Sequence, residues 1–170
     1  MDADSPYVWH YTVGAPLAAI ARSGCLRPGN AHDADRSEPV RTGQPADASR
    51  AILWFSRNQK WDPSAAKDER LRTDARTLSR SGLHTRFGLY RFGLRADDRR
   101  LLPWPTVTRV ADIDVPDAMA MVASGLRCGA APTDWIGTLS PVPVDELVFE
   151  AWNGRGWAAA DLYELAAQLV

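Results

Sequence analysis

The sequence has few cysteines, no long apolar run and almost no net charge. Its two cysteines, Cys25 and Cys128, exclude a disulfide framework in a chain of 170 residues, and neither lies in a Cys/His cluster with metal-site spacing. No apolar run approaches the ~20 residues that a transmembrane helix requires, and the N-terminal residues lack the basic and apolar regions of a secretory signal. We therefore expect a cytoplasmic protein that binds no metal and no membrane.

The charge and size of the chain narrow its class further. A formal net charge of -1 gives no overall positive field, so charge alone does not indicate nucleic-acid binding, although a local basic groove is left open. Lysine occurs only at Lys60 and Lys67, and the arginines are scattered rather than arranged in a stripe. With 45% hydrophobic residues, the chain has enough apolar material for one core, which predicts a single domain over residues 1–170.

The order of apolar patterns predicts more strands than long helices. Aromatic and β-branched residues at 7–11 predict a strand, and the spacing of Leu17 and Ile20 up to Gly24 predicts a short helix. Further strands are predicted at 51–56, 83–94, 106–113, 135–139 and 146–152, and helices from Pro63 to Ala75, at 117–124 and at 158–170. Because strands and helices do not alternate strictly, the pattern favours an α+β domain over a doubly wound parallel sheet.

One long stretch has a different composition. Residues 29–50 are rich in Asp, Pro, Gly, Ser and Arg and contain almost no large apolar side chain, so they cannot supply a core. Such stretches inside a compact domain are usually functional lids or disordered segments. We expect a long flexible loop here that closes over a ligand.

Three segments place chemically useful side chains at the edges of predicted strands. The first carries His10 and Thr12, and the second is the run Trp-Phe-Ser at residues 54–56 with the helix predicted after it. The third is the late acidic pair Glu146 and Glu150.

These segments resemble, in the same order, motifs of the ADP-ribosyltransferase fold. In poly(ADP-ribose) polymerase-like members a strand carries His-x-Thr or His-x-Ser, followed by a small helix that ends at glycine. Residues 9–26 are similar to this element, and the His-aromatic-Thr opening is even closer to that of DNA-targeting ADP-ribosyltransferase toxins. Residues 53–66 resemble the second family element, a strand ending in an aromatic pair before a helix rich in serine and alanine. Residues 145–149 resemble the third, a glutamate that opens a late apolar strand.

The resemblance implies a fold, a cofactor and a reaction. The fold is α+β with a split, mainly antiparallel β core and short flanking helices, and the cofactor is NAD. The reaction is glycosyl transfer of ADP-ribose to a macromolecular acceptor, a nucleic acid or a protein, as in a bacterial toxin or defence factor. Cleavage of the bond to nicotinamide has an oxocarbenium-like transition state, so the site needs an oriented ribose, a stacked nicotinamide and a carboxylate.

The resemblance also implies roles for individual residues. Glu146 is expected to bind the ribose 2′-hydroxyl and to help activate the acceptor, with Glu150 as second candidate because even spacing keeps both on one strand face. His10 is expected to bond a ribose hydroxyl, and Thr12 to support the adenosine half. The remaining NAD-binding candidates are Tyr11, which replaces the family's glycine, the aromatic residues Trp54, Phe55 and Trp61, the adjacent Ser56, and Arg57 and Arg91 as forks for pyrophosphate.

Simpler interpretations and other functions stay open beside this one. A strand histidine is as often structural as catalytic, an aromatic pair on a buried strand is more often core, and a glutamate near a strand end is usually solvated. One alternative function is a non-catalytic module on the same fold that binds a nucleotide or a protein. Another is an NAD-dependent RNA 2′-phosphotransferase, for which we expect a more basic surface.

Overall fold

In a computed structural model, the chain folds around a seven-stranded antiparallel sheet. The structure describes residues 5–29, 51–65 and 80–168, and the backbone alone at 68–69 and 76–77. The predicted loop 29–50 therefore lies outside the described residues, apart from its first position. The mixed α+β class and the single domain agree with the expectation from the sequence.

The strands have the following bounds: β1 Tyr7–Val13, β2 Cys25–Leu26, β3 Leu53–Ser56, β4 Asp68–Glu69, β5 Arg76–Thr77, β6 Leu89–Arg95, β7 Leu102–Pro103, β8 Trp135–Thr138, β9 Val142–Pro143, β10 Val148–Trp152 and β11 Trp157–Ala159. The helices are α1 Leu17–Ser23, α2 Arg80–Phe87, α3 Trp104–Val110, α4 Val115–Arg127 and α5 Leu162–Gln168. Short 3-10 turns occur at Pro63–Ala65, Pro132–Asp134 and Val144–Glu146. No helix in the described part of the chain is long and apolar enough to cross a membrane.

The large sheet has the strand order β11-β10-β6-β1-β3-β8-β7 and divides at its centre. β1 pairs with β6 along its whole length, from Tyr7 to Val13, whereas its register with β3 consists of the pair Trp9 and Ser56. A four-stranded part and a three-stranded part therefore meet at one point. The small sheets β2–β9 and β4–β5 lie outside this large sheet.

One face of the large sheet carries the main hydrophobic core. Because paired residues in antiparallel strands share a face, Val8, Phe92 and Phe149 lie on this side. They pack in one cluster with Leu17 of α1 and Leu162 of α5. Burial of the apolar side chains of two short helices against the sheet is what holds α1 and α5 in place.

The opposite face is richer in tryptophan and is covered in two different ways. Above β8 the helices α3 and α4 pack closely, with Trp104 4.8 Å from the ring of Trp135 and Gly125 directly against that ring. Ile52, Val107 and Ala111 form a small second core there. Above β1, β6 and β10 the cover is the irregular segment 57–65, and this half contains the site described below.

One predicted strand was wrong, and another was right only in its second half. The alternation at 83–94 is divided between helix α2 and strand β6, because Gly88, with a φ of 68°, ends the helix and reverses the chain. Residues 106–110 belong to helix α3, which has Pro105 in its first turn, a position that proline favours. The helix predicted from Pro63 begins as the 3-10 turn Pro63–Ala65, and the side chains expected beyond it lie outside the described residues.

We predict that Gly93→Ala destabilises the sheet. A Cβ at Gly93 would lie 2.6 Å from both the Trp9 ring and the Val148 side chain, two neighbours held within the sheet. Overpacking of this kind costs about 1–3 kcal/mol of unfolding free energy, measurable by urea titration. The control is Gly156→Ala, whose Cβ has nothing within 4 Å. Equal stability of the two variants would contradict the close approach at Gly93.

Candidate functional site

A buried ion pair between two neighbouring strands is the centre of the candidate site. Arg91 of β6 and Glu150 of β10 are direct register partners, so their side chains lie on the same face of the sheet. Arg91 Nε and Nη2 lie 2.7 and 2.5 Å from the same oxygen, Glu150 Oε2. The Arg91 side chain is 8% exposed and that of Glu150 is 23% exposed, so water screens this pair little.

Two tryptophans enclose the guanidinium of Arg91. Its Cζ lies 3.7 Å from the ring centroid of Trp9 and 4.4 Å from that of Trp157. A guanidinium stacks well on indole because its charge is delocalised and weakly hydrated. Together with Glu150, the two rings leave Arg91 little rotamer freedom.

The segment after β3 is fastened to this face mainly by bonds from sheet side chains. Arg91 Nη1 donates to the carbonyl oxygen of Gln59 at 2.6 Å. The amide of Gln59 accepts from Trp9 Nε1 at 2.7 Å and donates to the carbonyl of Tyr7 at 2.9 Å. Trp157 Nε1 donates to the carbonyl of Lys60 at 2.9 Å. An irregular segment gains a defined conformation here because its backbone groups are satisfied from the sheet.

Tyr11, two residues after Trp9 on β1, binds the same segment. Its hydroxyl donates to the carbonyl of Asn58 at 2.7 Å, and its ring lies 5.0 Å from that of Trp61. Burial raises the pKa of Tyr11 well above its usual range, with the nearby Arg91 opposing that effect in part. The phenol therefore stays protonated at physiological pH and acts here as a hydrogen-bond donor.

A cleft of about 470 Å³ opens beside the ion pair. Its lining residues are Ser5, Tyr7, Trp9, Gln59, Arg91, Val148, Phe149, Glu150 and Ala159. Glu150 is the one acidic residue among them. The contacts of Glu150 with Arg91 at 2.7 and 2.5 Å both use Oε2, and within the described part of the chain Oε1 accepts no hydrogen bond. The carboxylate thus keeps one oxygen for a ligand that carries a donor.

The structure separates the residues predicted from sequence into two groups on opposite faces. Tyr11, Trp54, Ser56, Arg91 and Glu150 share the tryptophan-rich face by their registers. Within this group Trp54 is distant from the cleft lining and stacks on Trp104, with ring centroids 5.4 Å apart.

The second group lies on the core face. His10 is the register partner of Phe92, and its Nδ1 lies 2.8 Å from the carbonyl oxygen of Trp54. The edge of the ring of Phe55 approaches that of His10, and both Phe55 and Thr12 are buried. His10 therefore bridges β1 and β3 where the sheet divides, and its side chain and that of Glu150 project from opposite sides of the sheet.

Two predicted site residues lie away from the cleft. Glu146 lies in the 3-10 turn Val144–Glu146 rather than on β10, so its expected place on the strand with Glu150 was wrong. Pro143 directly precedes the turn, and the turn ends at Glu146, before β10 begins at Val148. Glu146 accepts a hydrogen bond from Arg100. Arg57 is exposed, and its backbone N–H donates to the carbonyl of Asp134 at 2.9 Å.

Sequence reasoning missed Tyr7, Trp9 and Gln59 of the cleft lining, and also Trp157, which lies outside the lining but against Arg91. The signal for two of them was present, because Tyr7, Trp9 and Tyr11 alternate along the strand and must share a face. Gln59 and Trp157 gave no local signal, since their bonds to Trp9 and Lys60 join distant parts of the chain. Arg91 was singled out as a pyrophosphate fork, but its recorded bonds are to Glu150 and Gln59.

Comparison with protein-family models, curated proteins and solved structures gave no match. Among the described residues there is also no group of three or more His, Cys, Asp or Glu side chains placed to hold a metal ion. The arguments about function therefore come from the cleft itself.

We predict that Arg100→Gln destabilises the protein in a pH-dependent way. Hydrogen bonding to Arg100 lowers the pKa of Asp98, and Arg100 also bonds Glu146. A lowered carboxyl pKa contributes stability above the ordinary value near 4 that is lost as the pH falls through the lowered value. The expected loss at pH 7 is at most about 1 kcal/mol, and it should shrink in urea titrations as the pH falls progressively below the ordinary carboxyl value near 4. A loss that is independent of pH would contradict this role for Asp98.

We also predict that His10→Ala lowers stability without removing ligand binding at the cleft. The change deletes the bond to Trp54 O, which is worth about 1 kcal/mol, and leaves the face with Glu150 intact. Thermal melting should show a lower midpoint of unfolding, and any upward shift that saturating NAD produces in the wild type should persist in the variant. If that shift disappears in a folded variant, then His10 contacts the ligand.

Proposed function

We propose that this chain is an NAD-dependent ADP-ribosyltransferase in which Glu150 is the catalytic carboxylate. Two features support the proposal beyond the motif resemblance. The antiparallel sheet divides into two parts at β1, the strand that carries the His-Tyr-Thr motif. The cleft volume of about 470 Å³ also lies within the ~300–1,000 Å³ usual for small-molecule sites.

The observation that carries the proposal is the orientation of Glu150. Arg91 uses a single oxygen, Oε2, and thereby holds the carboxylate in one rotamer while Oε1 is left for a ligand. An oriented carboxylate in a partly buried cleft interacts strongly with positive charge and with hydroxyl donors. The ribose of NAD offers both, since its 2′-hydroxyl is a donor and its anomeric carbon becomes positively charged as the bond to nicotinamide breaks.

NAD supplies the ADP-ribosyl group, and nicotinamide leaves with the electron pair of the broken bond. Glu150 Oε1 accepts the hydrogen bond of the ribose 2′-hydroxyl, and the carboxylate stabilises the positive charge that develops on the ribose. The acceptor's nucleophile forms the new bond to the anomeric carbon, and its proton passes to the carboxylate of Glu150, the one acidic side chain of the cleft lining. The acceptor is a macromolecule, either a nucleic acid or a protein.

Tyr7 provides the aromatic face that was expected from Trp54 or Phe55. It lines the cleft, and its ring lies 5.8 Å from that of Trp9. Trp9 itself has Arg91 stacked on its ring, and Phe55 is buried on the opposite side of the sheet. Stacking of a planar nicotinamide is therefore assigned to Tyr7.

The test is nicotinamide release from NAD by the purified protein and its Glu150→Gln variant. The amide keeps an oxygen for Arg91 but loses the charge, so release should fall by about a hundredfold or more while NAD still raises the melting temperature. The matched control is Glu146→Gln, which removes a half-exposed carboxylate outside the cleft and should leave release intact. Unchanged release in Glu150→Gln would refute the assignment of Glu150.

The same ion pair, interpreted as a structural element, favours a second candidate function, a non-catalytic binding module. A buried guanidinium neutralises Glu150, and buried pairs of this kind also occur as purely structural elements. In that case NAD or another nucleotide raises the melting temperature of the wild type, but no nicotinamide is released. The two measurements on one sample therefore separate the enzyme from the module.

A further inference from the structure

We propose that Gln59 is a positioning residue that determines which oxygen of Glu150 faces the ligand. The inference rests on the proposed function, because it concerns how the catalytic carboxylate of that site is oriented. Arg91 has four contacts that hold it in place, with Trp9, Trp157, Glu150 and the carbonyl of Gln59.

The carbonyl of Gln59 reaches Arg91 only because the side chain of the same residue is fixed. Its Oε1 accepts from Trp9 Nε1, and its Nε2 donates to the carbonyls of Tyr7 and Arg57 at 2.9 Å each. Three bonds on one amide leave a single orientation for the backbone around it. The indole of Trp9 thus supports the guanidinium directly by stacking and indirectly through Gln59.

The bond to Gln59 has a consequence for Glu150. A free guanidinium pairs with a carboxylate most favourably as a two-oxygen fork, which would engage Oε1 as well as Oε2. Here the bond from Nη1 to the carbonyl of Gln59 fixes the tilt of the guanidinium. In this tilt Nε donates to Oε2 at 2.7 Å, and Nη2 lies 2.5 Å from the same oxygen. Release of Gln59 allows the guanidinium to tilt until Nε and Nη2 pair with both oxygens, and it then occupies the oxygen that the ribose hydroxyl requires.

The experiment compares Gln59→Met with Lys60→Met in the full chain. Methionine keeps the length and volume of Gln59 but makes none of its three amide bonds. Lys60 is an exposed neighbour whose side chain makes no hydrogen bond or ion pair with the part of the chain that the structure describes. The first readout is the Nε–H resonance of Arg91 in a nitrogen-15 NMR spectrum, assigned by its loss in Arg91→Lys. The rings of Trp9 and Trp157 displace this resonance from those of exposed arginines.

In Gln59→Met we expect the Arg91 resonance to move toward those of exposed arginines and its hydrogen exchange to accelerate about five- to tenfold, as for the loss of one net hydrogen bond. We expect kcat for nicotinamide release to fall by about tenfold to a hundredfold with little change in KM, because a misoriented carboxylate affects the reacting step. Lys60→Met should change neither readout.

An unchanged Arg91 resonance in Gln59→Met overturns the inference, whatever the activity. A displaced resonance with unchanged kcat also overturns it, because the orientation of Glu150 would then not depend on the bonds of Gln59. If the wild type releases no nicotinamide, the proposed function fails, while the resonance still decides whether Gln59 holds Arg91. Should Gln59→Met fold poorly, Trp9→Phe removes the indole donor to Gln59 and keeps an aromatic face under Arg91, and the same resonance is then compared.

Discussion

The buried guanidinium of Arg91 is the constraint on which the described site depends. A charge removed from water is tolerated only when its donors and its surroundings compensate for the lost hydration. Four strands and one irregular segment contribute here, since Arg91 comes from β6, Glu150 from β10, Trp9 from β1, Trp157 from β11 and Gln59 from the segment after β3. The contacts that satisfy one charge therefore also fix the cleft wall.

The two faces of the sheet serve different purposes because their side chains differ. The core face is aliphatic and phenylalanine-rich, and it buries α1 and α5 by the hydrophobic effect alone. The tryptophan-rich face combines apolar rings with indole N–H donors, so it can bind backbone carbonyls as well as apolar surface. Trp9 and Trp157 each use that donor on the segment 57–65, which is how a stretch without regular structure becomes the wall of a cleft.

His10 shows how a motif and a site can separate. The motif places it one residue from Tyr11, and on a strand this single step changes the face. Tyr11 joins the cleft face, while His10 joins Phe55 and Phe92 on the core side and bonds Trp54 across the division of the sheet. The resemblance groups His10 and Tyr11 in one motif, whereas on the strand these successive residues lie on opposite faces of the sheet. What the structure shows for His10 is a bond that joins β1 and β3, on the face of the sheet opposite Glu150.

The sequence by itself determined the α+β class, the first strand and helix and the buried strand β3, because these follow from local periodicity. It offered Arg91 and Glu150 only as candidates, through the motif resemblance. It misjudged residues 83–87 and 106–110, where alternating apolar residues also fit a helix once Gly88 and Pro105 set the boundaries. Only the tertiary structure decided that Glu150 rather than Glu146 lies in the cleft and that Gln59 reaches Arg91. Both facts depend on strand register and on contacts between residues far apart in the chain, and no local pattern contains that information.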